Sequence, residues 1–172
     1  QKAFPRPARV TGQLLALLRR TSPVYVLTHF NHPLEATESA AAAVERLIDG
    51  GVPVWSQSVL LRGLNDDADT IRRLNRDLVR MRVVPYYLHQ CDLAEGIEHF
   101  RTPLARGLEI IDALRGHTSG LMVPQLCVDV PGGLGKVTLQ PEWVVERSPH
   151  RVVFRTYGGQ RGEYPEPPPG RR

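Results

Sequence analysis

The sequence predicts an α/β protein, and three observations carry that reading. Short β-rich apolar runs begin at Val24, Val54 and Val83, 30 and 29 residues apart, the span of a strand, a helix and their loops. Amphipathic helical segments fill the gaps. Polar side chains gather just after the runs, where parallel α/β folds place their ligands.

The elements come in order. The opening Gln1-Lys2-Ala3-Phe4-Pro5-Arg6-Pro7 reads as a loop inside a longer protein. Residues 11–20 form a helix with Leu14, Leu15, Leu17 and Leu18 on one broad face. Residues 24–29 are a buried strand. Thr37 caps a helix running to Ile48, which Gly50 and Gly51 stop. Residues 54–61 are the second strand, and Asp66 or Asp67 caps a helix carrying Ile71, Leu74, Leu78 and Met81. Residues 83–89 are the third strand. Thr102-Pro103 opens the next helix, with Pro at its first position and Leu108, Ile111 and Leu114 inward. Strands alternating with helices argue for a parallel sheet with right-handed crossovers.

After Gly116 the pattern changes. Residues 121–129 read as a strand, followed by a glycine turn and further short strands at residues 136–139, 143–145 and 152–154. These look like hairpins in a β-rich cap. The expected organisation is therefore an α/β part over residues 1–115 and a β-rich segment over residues 116–172, with a proline-rich tail from Glu163.

Composition narrows the function. Hydrophobic residues make up 41% and charged residues 23%, ordinary for a soluble globular protein, and no apolar run approaches the ~20 residues of a membrane span. No leader pattern opens the chain, so a cytoplasmic location is the default expectation, with no membrane partner. The net charge of +4 raises nucleic acid as a partner, but the basic residues are dispersed among acids and aromatics are only 6%. The expectation is no nucleic acid. Cys91 and Cys127 match no zinc or redox spacing and read as buried thiols.

Four places carry chemistry. In Asp129-Val130-Pro131-Gly132-Gly133-Leu134-Gly135-Lys136, the glycines permit positive φ and close approach of a ligand. A desolvated Lys136 there can form a Schiff base with an aldehyde such as pyridoxal phosphate; the plain alternative is a β-turn with an exposed lysine. The stretch is not a nucleotide P-loop, because Val130 stands where a glycine is required and Val137 follows the lysine. His29 and His32 sit three apart at a strand end; His29 reads as a hydrogen-bond donor to a ligand or loop, and no metal is expected. Gln57 lies among apolar neighbours and needs partners, either internal or a ligand. Asp92 and Asp129, if they converge, hold an ammonium or share a proton; otherwise one caps a helix and the other pairs on the surface.

The combination is specific. Thr28-His29-Phe30-Asn31-His32-Pro33, Ser58-Val59-Leu60-Leu61-Arg62-Gly63-Leu64-Asn65-Asp66, Pro85-Tyr86-Tyr87-Leu88-His89-Gln90-Cys91-Asp92, His99-Phe100-Arg101-Thr102-Pro103, Gly116-His117-Thr118-Ser119-Gly120 and the Lys136 stretch occur in that order. Together they closely resemble the lysine 2,3-aminomutase family of radical S-adenosylmethionine enzymes, from about Ser22 to Pro167. The resemblance implies the later part of an incomplete (βα) radical-S-adenosylmethionine barrel followed by a small β-rich C-terminal segment. It implies pyridoxal phosphate, S-adenosylmethionine and a [4Fe–4S] cluster as cofactors, and radical conversion of L-lysine to β-lysine as the reaction. Lys136 matches the catalytic lysine that attaches pyridoxal phosphate. Asp92 and Asp129 match the pair that binds the side-chain ammonium of the amino acid substrate, and His29 and Gln57 match residues near S-adenosylmethionine. Both aspartates favour lysine over glutamate as substrate. His89 stands where lysine-acting members often carry tyrosine. The cysteine triad CxxxCxxC that anchors the cluster is absent, as are the C-terminal zinc cysteines of some members. The expectation is a fragment lacking the cluster ligands, inactive alone, from a parent that forms homo-oligomers. The alternatives are a β-lysylation-type aminomutase acting on a translation factor and a non-catalytic pyridoxal-phosphate- or amino-acid-binding module.

Overall fold

The structure is a computed structural model that describes residues 7–167. It is mixed α/β with two sheets. Strands β1 (Val26–His29), β2 (Val54–Leu60), β3 (Val84–Gln90), β4 (Gln125–Val130) and β5 (Gly135–Leu139) lie in that order in the first sheet. The first four run parallel and β5 returns antiparallel to β4. Strands β6 (Val144–Arg147), β7 (Arg151–Arg155) and β8 (Arg161–Pro165) form a separate antiparallel sheet.

Helices α1 (Gly12–Arg20), α2 (Glu38–Asp49), α3 (Ala68–Arg80) and α4 (Leu104–Leu114) connect the parallel strands or precede them. Their starts are written in the sequence. Thr11, Thr37 and Asp67 each accept a hydrogen bond from the backbone N–H three residues on, satisfying one of the donors a helix leaves unpaired. Pro103 stands at the cap of α4, one residue earlier than the expected first helical position.

One face of the sheet is buried under helices. In β2 the alternation is strict: Val54, Ser56, Ser58 and Leu60 are buried, while Trp55, Gln57 and Val59 point the other way and are half-buried. Val54 and Val83 pack with Ala43, Val44, Leu47, Leu74 and Leu78 from α2 and α3. Leu60, Leu88 and Leu126 pack with Ile71 of α3 and Ile110, Ile111 and Leu114 of α4. The face away from the helices is left for polar and aromatic side chains.

Two expectations change. The segment after Gly116 is not one cap: β4 and β5 extend the first sheet and only β6–β8 stand apart. The reason is burial, because Leu126 and Cys127 are 1% and 0% exposed against α4 and β3, so this strand completes the core. Glu163 to Pro165, expected in the tail, pair with β7 instead. The rest of the tail beyond Pro167, like residues 1–6, lies outside the described residues.

Candidate active site

The side chains singled out in the sequence form a row across the open face, near the carboxyl ends of the parallel strands. His29 ends β1, opposite Gln57 in register on β2. His89 on β3 lies beside Val59 of β2 and Cys127 of β4. Asp129 and Lys136 are register partners across the β4–β5 hairpin. That pairing is why seven residues of sequence bring the two charges together.

The row is joined by side-chain hydrogen bonds. Lys136 Nζ donates to Asp129 Oδ1 at 2.7 Å and lies 3.3 Å from His89 Nδ1. His89 Nε2 is 3.0 Å from Gln57 Oε1, and Gln57 Nε2 is 3.3 Å from His29 Nε2. A lysine ammonium only donates and an amide oxygen only accepts, so the chain has one direction. Lys136 donates to His89 Nδ1, His89 Nε2–H donates to Gln57, and Gln57 Nε2–H donates to His29. The proton of His29 then sits on Nδ1, which is buried and has no partner.

Aromatic rings floor this row. A β-bulge at Ser56–Gln57 skips one residue of β3, so Gln57 opposes Tyr87 while Ser56 opposes Pro85. The Tyr86 hydroxyl donates to that of Tyr87 at 3.0 Å, and the Tyr87 ring lies 5.5 Å from Lys136 Nζ.

The electrostatics reflect burial and pairing. Burial, foremost, pushes both His29 and His89 below the ordinary histidine value, and Lys136 adds to the effect on His89. The hydrogen bond from Lys136 holds the Asp129 carboxyl below its usual range. Burial lifts the Cys127 thiol to about 11, so it stays protonated.

The strand-end loops are built by buried amides. Asn65, 0% exposed, donates to the carbonyls of Asn31 and Val59 at 2.7 and 2.9 Å and accepts from Leu61 N–H at 2.7 Å. Asn31 in turn accepts from Val59 N–H at 2.7 Å. Beyond β3 and β4 a cavity of about 300 Å³ is lined by Asp92 and Asp129 together with Gln90, Arg101 and Thr102. At the hairpin Gly132, Gly133 and Gly135 have φ of 81°, 73° and 94°, and a Cβ at any of them would meet nothing within 4 Å. Backbone conformation rather than crowding demands these glycines.

A family model described as Lysine-2,3-aminomutase matches residues 111–170. Over 161 residues the chain is 53% identical to the L-lysine 2,3-aminomutase of Fusobacterium nucleatum and 50% identical to that of Bacillus subtilis, covering 94% of this chain in each case. The chain belongs to the lysine 2,3-aminomutase family. It spans 38% and 34% of the lengths of those two relatives. The glutamate 2,3-aminomutase of Clostridioides difficile is 42% identical over 154 residues.

Within this aminomutase-family chain, the structure brings Lys136, Asp129, Gln57 and His29 into one network and sets Asp92 on the wall of the adjoining cavity. His32 stays out of it: its Nδ1 accepts from Leu34 N–H at 3.2 Å in a capping box with Glu35. No group of three or more His, Cys, Asp or Glu side chains converges as a metal site among the described residues. No helix among them is long and apolar enough to cross a membrane. Sequence reasoning marked His89, the centre of the network, only as a departure from the family pattern, and gave neither it nor its neighbour Tyr87 a role in the site. Strand alternation was the available signal, since both point to the face of Gln57 once the β2–β3 register is known.

Proposed function

We propose that this chain carries the lysine-bearing part of a lysine 2,3-aminomutase, which moves the α-amino group of L-lysine to its β-carbon. The observation that carries the reading is Lys136, held by His89 and by Asp129, which itself lines a cavity that also presents Asp92. The first sheet is read with it as part of an incomplete (βα) barrel, supported by its sequential parallel order and by helices packed on one face.

The residues fit pyridoxal phosphate at Lys136: a primary amine on a partly exposed side chain, an imidazole against it and an aromatic ring 5.5 Å away. Pyridoxal phosphate supplies there the conjugated system that lets an amino group migrate. Asp129, now paired with Lys136, and Asp92 line the same cavity and would together hold a substrate ammonium were Lys136 engaged by the cofactor. A cationic side chain would balance at least one of these two carboxylates. The unpartnered N–H of His29 and the amide of Gln57 fit a polar ligand such as S-adenosylmethionine. The residues present do not fit a [4Fe–4S] cluster, since Cys91 and Cys127 are two separate buried thiols, and no step is derived through one.

The test uses a favourable accident of composition. Of the 22 basic Lys and Arg residues only Lys2 and Lys136 are lysines. Incubation with pyridoxal phosphate and reduction with borohydride should place the pyridoxyl mass on Lys136 well ahead of Lys2, and Lys136→Ala should abolish it. Equal labelling of the two lysines would overturn the assignment.

A further inference from the structure

We propose that His89 is the proton acceptor for Lys136, converting its ammonium into the free amine through Nδ1. The proposal deepens the function read above and rests on it for the use to which the amine is put. An amine attacks a carbonyl only when it has shed its extra proton. Lys136 has two oxygen or nitrogen partners among the described residues: Asp129 Oδ1 at 2.7 Å and His89 Nδ1 at 3.3 Å. A carboxylate held below its usual range is a poor acceptor; it stabilises the ammonium instead. Nδ1 of His89 is the basic atom left.

The rest of the network makes that nitrogen available. Gln57 Oε1 can only accept, so it holds the His89 proton on Nε2 and turns the Nδ1 lone pair toward Lys136. Gln57 keeps this orientation because its amide N–H₂ is engaged by His29 Nε2. Burial keeps the resting ring neutral, so the Nδ1 lone pair carries no proton of its own.

The transfer balances. One proton leaves Lys136 Nζ and bonds to His89 Nδ1, giving a neutral amine and an imidazolium. The imidazolium keeps its Nε2–H bond to Gln57, so nothing else need rearrange. Asp129 Oδ2, 3.7 Å from Nδ1, then faces the new cation, and the net charge of the trio is unchanged. The other groups facing His89 are Cys127, whose protonated thiol is 3.5 Å from the same nitrogen, the Tyr87 ring 5.4 Å away, and the charges of Asp92 and His29. None of them is a hydrogen-bond partner of Lys136 Nζ, whose partners among the described residues are His89 and Asp129 alone.

Two readouts test this on the chain itself, without turnover. Nitrogen-15 NMR of the imidazoles at neutral pH should show His89 protonated on Nε2; finding the proton on Nδ1 would overturn the proposal without any variant being made. Trinitrobenzenesulfonate reacts only with unprotonated amines, and Lys2 serves as internal control. His89→Ala should slow labelling of Lys136 about tenfold or more, leave Lys2 unchanged, and regain most of the rate on adding free imidazole. His89→Gln, which offers an accepting oxygen but takes no proton, should stay slow. Full speed in either variant, or no imidazole rescue, would mean that His89 merely props the lysine. Pyridoxal phosphate labelling separates the two claims. If trinitrobenzenesulfonate behaves as stated and pyridoxal phosphate ignores Lys136, the aminomutase reading falls and the acceptor role stands. The converse result removes only the acceptor.

Discussion

At the scale of single residues, Asp129 has two claimants. In the free chain it is paired with Lys136, with side chains 49% and 32% exposed, so the pair exchanges with solvent rather than locking the fold. Asp129→Asn should therefore change the melting temperature little. It should weaken lysine binding at least tenfold while pyridoxal phosphate attachment falls less; equal losses would exclude an ammonium-binding role. The histidines set a pH dependence. Burial depresses the folded pKa of His29 and His89 below 6.5, so the unfolded chain binds protons that the folded chain refuses. Their contribution is present above about pH 6.5 and is lost as pH falls toward the depressed folded values. Thermal melts from pH 7.5 to 5 should show a declining midpoint, flattened in the double variant His29→Gln, His89→Gln. A native midpoint that stays level across that window would contradict the burial argument.

At the scale of elements, the strand-end loops and one helix contact carry the precision. Asn65 satisfies two carbonyls and one N–H with a single buried amide. Asn65→Ala leaves them short of partners, and at ~1–3 kcal/mol for each unsatisfied group the cost should reach about 3 kcal/mol, read as a lower denaturant midpoint. Gly107 shows where α4 sits on β4. A Cβ there would stand 2.9 and 3.0 Å from the two Cδ atoms of Leu126. Alanine favours a helix by ~1 kcal/mol over glycine, yet overpacking a core costs ~1–3 kcal/mol. Gly107→Ala should come out destabilising, and a raised midpoint would show that Leu126 moves aside freely.

For the whole molecule, the question is how the three-stranded sheet is fastened to the rest. Arg155 of β7 reaches Asp112 of α4 at 3.1 Å and stacks over Trp143, 4.7 Å from its ring. Tyr157 packs edge-on against His117 and lies over Gly116, where any Cβ would fall 2.2 Å from the ring. Gly116 is thus required twice, by its φ of 80° and by the ring above it. Tyr157→Ala should raise hydrogen exchange in β6–β8 and leave β1–β4 protected. Equal loosening of both sheets would show one cooperative unit. At the opposite side β1 ends the first sheet, with Tyr25 and Leu27 60% and 46% exposed. Among the described residues β1 pairs with β2 alone, and its other edge carries no strand.

The sequence by itself determined the family, through six motifs in order, and most of the elements, through local rules. The caps at Thr37 and Asp67, the short apolar runs of the strands and the inward stripes of α3 and α4 are all short-range signals. They are legible because the physics behind them acts within a turn or a strand. The segment beyond Gly116 escapes such rules because strand pairing is non-local: nothing near residues 125–130 says that they lie beside β3. The same holds for the network at the site. His29, Gln57, Asp129 and Lys136 are visible as residues, but register alone decides that His89 stands between them. Only the tertiary structure, by fixing which atoms can donate to which, turned separate polar side chains into a chain of hydrogen bonds with a direction.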